Sequence, residues 1–153
     1  MTAPVQSPQI HVRPARAADV SELARLAGEL GYPSTEDEIR TRLAAIESTP
    51  AHALWVAEAA GANGNLAGFL NAYVKRAIDT DARVEIAALV VDEKQRSRGV
   101  GKLLIERAEA WARENGCRTI GLRSNVIRDR AHKFYERLGY EHYKTQKAFR
   151  KSL

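Results

Sequence analysis

The stretch EKQRSRGVGKLL, Glu93 to Leu104, is the part of this sequence best suited to bind a charged ligand. It lies between an apolar segment and a segment with helical periodicity. A helix N-terminus presents unpaired backbone N–H groups and a partial positive charge, and glycines let an anion approach the backbone closely. We therefore expect this stretch to bind a phosphate group. Its basic residues and glycines are Lys94, Arg96, Arg98, Gly99, Gly101 and Lys102.

Two common nucleotide-binding motifs do not fit this stretch. A P-loop requires GxxxxGK followed by Ser or Thr, but Arg96 stands at the position of its first glycine and Leu103 follows Lys102. A dinucleotide-binding fingerprint requires a glycine at the position of Leu104. The sequence therefore supports neither ATP hydrolysis nor nicotinamide chemistry.

Glu85 is the candidate general base. It is the one carboxylate within VEIAALVV, residues 84–91, and partial burial would raise its pKa toward neutrality. The alternative is a structural glutamate at a strand end, paired with Arg83 or another cation.

Composition limits the class of protein. The chain has 153 residues, a formal net charge of +5 and 44% apolar residues, enough for one domain with a buried core. The charge favours an anionic ligand, but the basic residues are mostly interleaved with Glu and Asp, so a compact anion fits better than nucleic acid. The single cysteine, Cys117, favours a reducing, cytoplasmic location.

Other classes of site and location lack support in the sequence. The start MTAPVQSPQ does not resemble a signal peptide, and no window approaches the roughly 18 apolar residues of a membrane span. The histidines do not have the spacing of metal ligands, so we expect no metal site. His132 is interpreted as a surface residue, and Trp55 and Trp111 as core residues.

Apolar periodicity predicts an α/β (α+β) domain over residues 9–153, preceded by a disordered tail, residues 1–8. We expect a mixed sheet of six or seven strands, flanked by about four helices. The predicted strands are Ile10–Pro14, Ala53–Ala59, Leu66–Lys75, Val84–Val91 and Thr119–Arg123, with one or two more within residues 140–151. The predicted helices are Ala17–Leu30, a second capped by Ser34 or Thr35 and running through Ile46, Gly99–Asn115 and Asp129–Leu138.

The run Arg96-Ser97-Arg98-Gly99-Val100-Gly101 resembles the acetyl-CoA pyrophosphate loop, R-x-x-G-x-G, of the GNAT superfamily of N-acetyltransferases. The segment SNVIRDRAHKFYERLGY, residues 124–140, resembles the second signature of that family. The likeness covers most of Ile10 to Leu153; one departure is Ser97, where many members have glycine. It implies acetyl-CoA as cosubstrate and a sheet that splays apart between its fourth and fifth strands.

The same resemblance implies roles for individual residues. A glutamate eleven residues before Arg96 serves as general base in several members, which supports Glu85. Tyr135 matches a tyrosine that lies near the CoA sulfur and can protonate the thiolate; the alternative is a core aromatic like Phe134. The oxyanion donor would be the backbone N–H of Leu89. The implied cofactor-binding residues are Leu89, Val90, Val91, Arg96, Ser97, Arg98, Gly99, Val100, Gly101, Lys102, Asn125, Arg130, Ala131 and Tyr135, although Asn125 could instead be a turn residue before a helix.

The acceptor is predicted to be a small primary amine. The resemblance places its pocket among the first two helices and the loop after the third strand, so Tyr32, Tyr73 and Glu85 are candidate substrate-binding residues. Asp79 and Asp81 could attract a cationic amine or belong to a solvated loop. The cofactor half resembles aminoalkylphosphonate N-acetyltransferases, and aminoglycoside 6'-N-acetyltransferases have similar cofactor halves. Protein N-terminal acetylation and a non-catalytic acyl-CoA-binding domain remain as alternatives, and a homodimer is compatible with the sequence.

Overall fold

A computed structural model describes residues 9–61 and 63–153, and the order of its elements agrees with the sequence prediction. Two compact units divide the chain: the first ends at Leu122 and the second is Arg123–Leu153. The predicted N-terminal tail lies outside the described residues. The strands are β1 (Ile10–Pro14), β2 (His52–Ala59), β3 (Leu66–Lys75), β4 (Arg83–Val91) and β5 (Ile120–Leu122). The α-helices are α1 (Val20–Leu30), α2 (Glu36–Glu47), α3 (Val100–Glu114) and α4 (Asp129–Arg137), with 3₁₀ turns at Ala17–Asp19 and Glu93–Gln95.

The sheet has the order β1-β2-β3-β4-β5, and all neighbours are antiparallel except β4 and β5. The described residues thus form five strands, and the prediction of six or seven was wrong. The error lies in residues 140–153, which contain no strand and are almost entirely exposed. Their loose alternation is dominated by charged and polar side chains, which offer too little apolar area to offset the entropy of ordering a strand.

The first helix begins later than predicted because its first turn is a 3₁₀ turn. Asp19 accepts a hydrogen bond from the backbone N–H of Arg16 at 2.9 Å and two from Arg13, at 2.7 and 2.8 Å. This ion pair joins the start of α1 to β1. The second helix begins as predicted, since Thr35 and Glu38 form a capping box across its N-terminus.

A β-bulge in β4 determines which side chains share a face of the sheet. Asn71 of β3 is opposite Ala88, but the next residue of β3 is opposite Ile86, so Ala87 has no partner in this ladder. Successive side chains of a regular strand point to opposite faces. The extra residue reverses this alternation and places Glu85 on the same face as Ala88 and Val90.

Each face of the sheet is covered by helices of the first unit. Leu23 and Leu26 of α1 pack with Val56, Phe69 and Val90 on one face. On the opposite face, α3 contacts the strands, and the rings of Trp55 and Trp111 meet edge to face with centroids 5.5 Å apart. Trp55 is buried, as expected, and Trp111 is half-buried. Glu85, the candidate base, lies on the face of the sheet that α1 covers.

Candidate active site

The N-terminus of α3 is open. Its N-cap is Gly99, which has no side chain to cap the helix, and no acidic residue lies in the first turn. The N–H of Leu103 bonds to the carbonyl of Gly99 at 3.1 Å. The N–H groups of the preceding residues in the first turn point out of the helix end, where an α-helix offers them no carbonyl acceptor. In contrast, a capping box closes α2, and the first turns of α1 and α4 contain the acidic residues Glu22 and Asp129. Among the four described α-helices, α3 is therefore the best suited to receive an anion.

Two residues in the loop before α3 have left-handed backbone conformations. Gly99 has φ of 78° and Ser97 has φ of 69°. A left-handed conformation costs little for glycine and more for serine, because the serine Cβ crowds its own backbone. The departure from glycine at Ser97 therefore occurs at a position whose backbone favours glycine.

The basic side chains of the loop are presented to solvent. Arg96, Arg98 and Lys102 are all exposed. Arg98 bonds to the side chain of Gln95 at 3.3 Å, and Lys102 lies 3.8 Å from a carboxylate oxygen of Glu106. The open amides and these exposed cations fit a pyrophosphate, so the loop, residues 96–102, is suited to bind such a group.

A buried aspartate holds the base of this loop. Asp92 is 8% exposed, and its N–H donates to the carbonyl of Ala67 at 2.7 Å. One carboxylate oxygen accepts from the N–H of Lys94 at 3.0 Å, and the other lies 3.2 Å from the guanidinium of Arg25 in α1. The same guanidinium bonds Glu22 at 2.8 and 3.0 Å.

Sequence reasoning missed this cluster of Glu22, Arg25 and Asp92. The i,i+3 spacing of Glu22 and Arg25 is a visible signal, but the approach of Asp92 from the end of β4 is a long-range contact. The hydrogen bond from Arg25 holds the pKa of Glu22 below its usual value, and Glu22 in turn raises the pKa of Arg25. Glu22 and Arg25 are therefore ionised at neutral pH. The contact between Arg25 and Asp92 ties the loop to α1.

The strand that precedes the loop has one edge without a strand partner over its second half. Pairing between β4 and β5 is limited to residues 84–86 and 120–122. No described residue of β5 lies opposite Leu89, Val90 or Val91, whereas β3 pairs with all three on the other edge. Backbone groups on a strand edge can bond an extended ligand. Leu89, Val90 and Val91 are among the cofactor-binding residues that the family resemblance implies.

Glu85 belongs to a row of residues that crosses the sheet. It is opposite Tyr73 of β3, which is opposite His52 of β2, and opposite Gly121 of β5. The rings of His52 and Tyr73 are stacked with centroids 5.4 Å apart. Glu85 is 6% exposed, and its carboxylate lies 3.5 Å from Nε of Arg83. The ion pair of the structural alternative thus exists, and the role of Glu85 as base stays a prediction.

The remaining predicted site residues belong neither to β4 nor to the loop before α3. Tyr32 follows α1 in the first unit and is 72% exposed. The second unit contains Asn125, Arg130, Ala131 and Tyr135. Arg130 is exposed and Ala131 half-buried in the first turn of α4. The predicted set is therefore divided between the two units, and its cofactor assignments stay predictions.

Asn125 and Tyr135 have clear local environments within the second unit. The side-chain oxygen of Asn125 accepts from the N–H of Ile127 at 3.2 Å, which is the turn arrangement considered as its alternative. The ring of His132 bonds to the carbonyl of Asn125 at 2.9 Å. Burial raises the pKa of Tyr135 above its usual value, although Arg128 partly opposes this shift. The phenol is therefore protonated at neutral pH and able to donate a proton.

The described residues offer neither a metal site nor a membrane-spanning helix. Within residues 9–61 and 63–153, no group of three or more His, Cys, Asp or Glu side chains could hold a metal ion. None of the described helices has the length and apolar character needed to cross a membrane.

Comparison with known proteins gave consistent matches. The model of the acetyltransferase (GNAT) family matches residues 18–140. An uncharacterized N-acetyltransferase, YhdJ, of Bacillus subtilis is 31% identical over 107 residues, which cover 69% of this chain and 75% of that protein. N-acetylaspartate synthetase of Rattus norvegicus is 32% identical over 70% of this chain, but the match spans only 35% of that protein. The solved structure of aminoglycoside N-acetyltransferase AAC(6')-Iy with CoA superposes with a TM-score of 0.85, covering 99% of this chain and 100% of that one at 21% identity.

Proposed function

The chain belongs to the acetyltransferase (GNAT) family, whose members use acetyl-CoA, and on this premise we propose that it acetylates the primary amine of a small molecule by direct transfer. One observation carries the proposal: β4 bears the carboxylate of Glu85 and leads directly into the open N-terminus of α3. A candidate base and a candidate pyrophosphate site thus follow each other on one strand and its loop. A protein that only bound acyl-CoA would need the second feature and not the first.

Acetyl-CoA supplies the acetyl group as a thioester, whose oxygen gains negative charge and whose sulfur leaves as a thiolate during transfer. The residues of the loop, 96–102, hold the pyrophosphate, and the backbone of Leu89 and Val91 pairs with the pantetheine arm. Glu85 accepts the proton of the acceptor ammonium, directly or through a water. The N–H of Leu89 donates to the oxygen that gains charge. Tyr135 donates a proton to the thiolate as the C–S bond breaks, and the second proton that the attacking nitrogen loses restores the phenol.

The acceptor is proposed to bind beside Glu85, with Tyr73 on the neighbouring strand and Tyr32 after α1 as lining residues. The relatives support an amine acceptor in general: rat N-acetylaspartate synthetase is named for an N-acetylated amino acid, and AAC(6')-Iy for aminoglycosides. Aminoglycosides are therefore among the first amines to test, and aminoalkylphosphonates are added because the cofactor half resembles aminoalkylphosphonate N-acetyltransferases. Direct transfer is proposed because the sequence offers no residue that is well placed to carry the acetyl group covalently.

The test is acetyl-CoA-dependent release of free thiol, followed with a chromogenic disulfide across panels of amines. Tyr135→Phe should lower kcat about a hundredfold while CoA affinity stays within twofold, because general acid catalysis contributes factors of this order. Tyr143→Phe is the matched control, since Tyr143 is an exposed tyrosine of the same unit. Glu85→Gln should lose most activity at low pH, where an unassisted amine is protonated.

Three results would argue against these assignments. Equal kcat for Tyr135→Phe and wild type would remove the proposed acid, and superimposable pH profiles for Glu85→Gln and wild type would remove the proposed base. Saturable CoA binding without thiol release from any amine would favour a non-catalytic acyl-CoA-binding domain. In that case the ion pair between Glu85 and Arg83 would be the role of Glu85.

A further inference from the structure

We propose that the acceptor carries an acidic group a few bonds from its amine, and that Lys75 and Arg83 bind this group on the sheet beside Glu85. The inference rests on the proposed function, because it specifies which class of amine reaches the base. It assigns a binding role to two residues that neither the motif nor the resemblance singled out. The ligand chemistry is a carboxylate or phosphonate on a short primary amine.

The register of β3 and β4 brings the two cations together. Lys75 is directly opposite Arg83, one row beyond the pair of Tyr73 and Glu85. Side chains two residues apart on a strand share a face, so all four belong to one surface of the sheet. Directly opposed residues have Cβ atoms roughly 5 Å apart, and like charges at this spacing are destabilising. The opposed pair of Lys75 and Arg83 lowers stability, and binding an anion explains why two cations stand at these positions.

The local charge balance supports the same conclusion. Glu85 is 3.5 Å from Arg83, but one carboxylate cannot neutralise two cations. Neither cation is fully solvated: Lys75 is half-buried, and the side chain of Arg83 is 25% exposed. An ammonium group arriving beside Glu85 would add a further positive charge to this surface. An acidic group on the same molecule compensates that charge, whereas a polycationic amine makes the imbalance larger.

Open space adjoins the row of Glu85 on the β5 side. Gly121 is opposite Glu85 on β5, and a Cβ built there would meet no atom within 4 Å. The rows of Glu85 and Arg83 are roughly 7 Å apart along the strand. Long side chains can close on a short amino acid or aminophosphonate over such a span, with its amine at Glu85 and its acid at Arg83 and Lys75.

The acidic residues of the neighbouring loop do not pair with Lys75 or Arg83. Asp79 and Asp81 are exposed in the loop between β3 and β4. Together with Ile78 and Thr80 they line a shallow depression that includes no residue of the strands. Neither aspartate forms an ion pair with Lys75 or Arg83 among the described residues, so neither replaces an anionic group at these cations.

The experiment compares amines that differ in one group. Wild type is assayed with 2-aminoethylphosphonate against 2-aminoethanol, with 3-aminopropanoate against 3-aminopropanol, and with spermidine. The acid-bearing amine of each pair should have kcat/KM at least tenfold higher, since a hydrogen bond to a charged group contributes enough for about that factor. Spermidine should be the poorest acceptor. The two acid-bearing probes also distinguish a preference for carboxylate from one for phosphonate.

Two variants separate the acid-binding role from a structural one. Lys75→Gln should raise KM about tenfold for the acid-bearing amines and leave KM for the neutral amines and kcat unchanged. Lys75→Glu should reverse the preference in favour of spermidine. Arg113→Gln, at an exposed arginine in the last turn of α3, is the control and should change none of these values.

The proposal would be overturned if wild type had equal kcat/KM for the acid-bearing and the neutral amines. It would also be overturned if Lys75→Gln raised KM equally for both classes of amine.

A binding measurement distinguishes failure of this proposal from failure of the proposed function. If no amine gives thiol release, calorimetric titration of the CoA complex with 2-aminoethylphosphonate decides: saturable binding that Lys75→Gln loses supports the acid site, and absence of binding to wild type rejects it.

Discussion

Gly68→Ala tests the packing that positions β4 against β3. Gly68 is opposite Val91, and a Cβ at Gly68 would lie 2.5 Å from the carbonyl oxygen of Val90. Ordinary contact begins at 3.4 Å, so the neighbouring strand must move by about 0.9 Å. The obstructing atom belongs to the backbone of a central strand, which cannot rotate away as a side chain could. Overpacking of this kind costs about 1–3 kcal/mol of unfolding free energy.

The strain also falls on the proposed cofactor strand. Val90 and Val91 precede Asp92, whose N–H is held 2.7 Å from the carbonyl of Ala67, next to Gly68. Displacing this end of β4 should therefore displace the base of the anion-binding loop. We expect Gly68→Ala to lower the melting temperature by roughly 4–8 °C, corresponding to about 2 kcal/mol for a domain of this size, and to weaken CoA binding.

Thermal unfolding followed by circular dichroism measures the first effect, and calorimetric titration with CoA measures the second. Gly28→Ala is the matched control because Gly28 is exposed within α1 and a Cβ there meets nothing within 4 Å. That variant should be more stable by about 0.5–1 kcal/mol, since glycine is unfavourable inside a helix. If Gly68→Ala melts at or above the wild-type temperature, the close approach of the two strands is wrong.

Three further predictions concern single contacts. Ser97→Gly should relieve the left-handed strain and raise the unfolding free energy by about 0.5 kcal/mol, measured by urea titration. Arg25→Gln should weaken CoA binding about threefold without changing KM for the amine, because it removes the charge that holds Asp92 at the base of the loop. Asp19 is buried, which opposes its ionisation, yet hydrogen bonds from Arg13 and Arg16 leave its pKa below the usual 3.8. Its contribution to stability is therefore full above pH 3.8 and is lost as the pH falls through its lower folded pKa, so Arg13→Met should lose less stability between pH 6 and pH 3 than wild type.

Each of these predictions has an outcome that contradicts it. Ser97→Gly that is less stable than wild type would show that the loop is not strained. Arg40→Gln is the control for Arg25→Gln, and equal CoA affinity of the two would remove the positioning role of Arg25. A loss of stability on acidification that is the same in Arg13→Met and wild type would show that the ion pair with Asp19 does not control the pH dependence.

Much of the fold could be predicted because its signals are local. The capping box of Thr35 and Glu38 involves neighbouring residues, and the structure confirms it. The five described strands lie within a residue or two of their predicted bounds, since apolar alternation and turn residues are also local. The additional strands predicted within residues 140–151 were wrong because alternation alone does not supply a surface against which a strand can be buried.

The anion-binding loop is likewise a property of contiguous sequence. Glycine at the N-cap, basic neighbours and an amphipathic helix determine an open helix end wherever the helix packs. The sequence by itself therefore determined the helix that follows β4, the cations beside it and the resemblance to a family that uses acetyl-CoA.

Only the tertiary structure decided which side chains lie on the same face of the sheet as Glu85. Simple alternation along VEIAALVV places Glu85 opposite in direction to Ala88 and Val90, but the bulge at Ala87 reverses this and gives all three the same face. The register with β3 then sets Lys75 against Arg83, and Arg25 meets Asp92 only because α1 packs over the end of β4. Bulges, register and helix packing depend on contacts between segments distant in sequence, and for that physical reason no local pattern contains them.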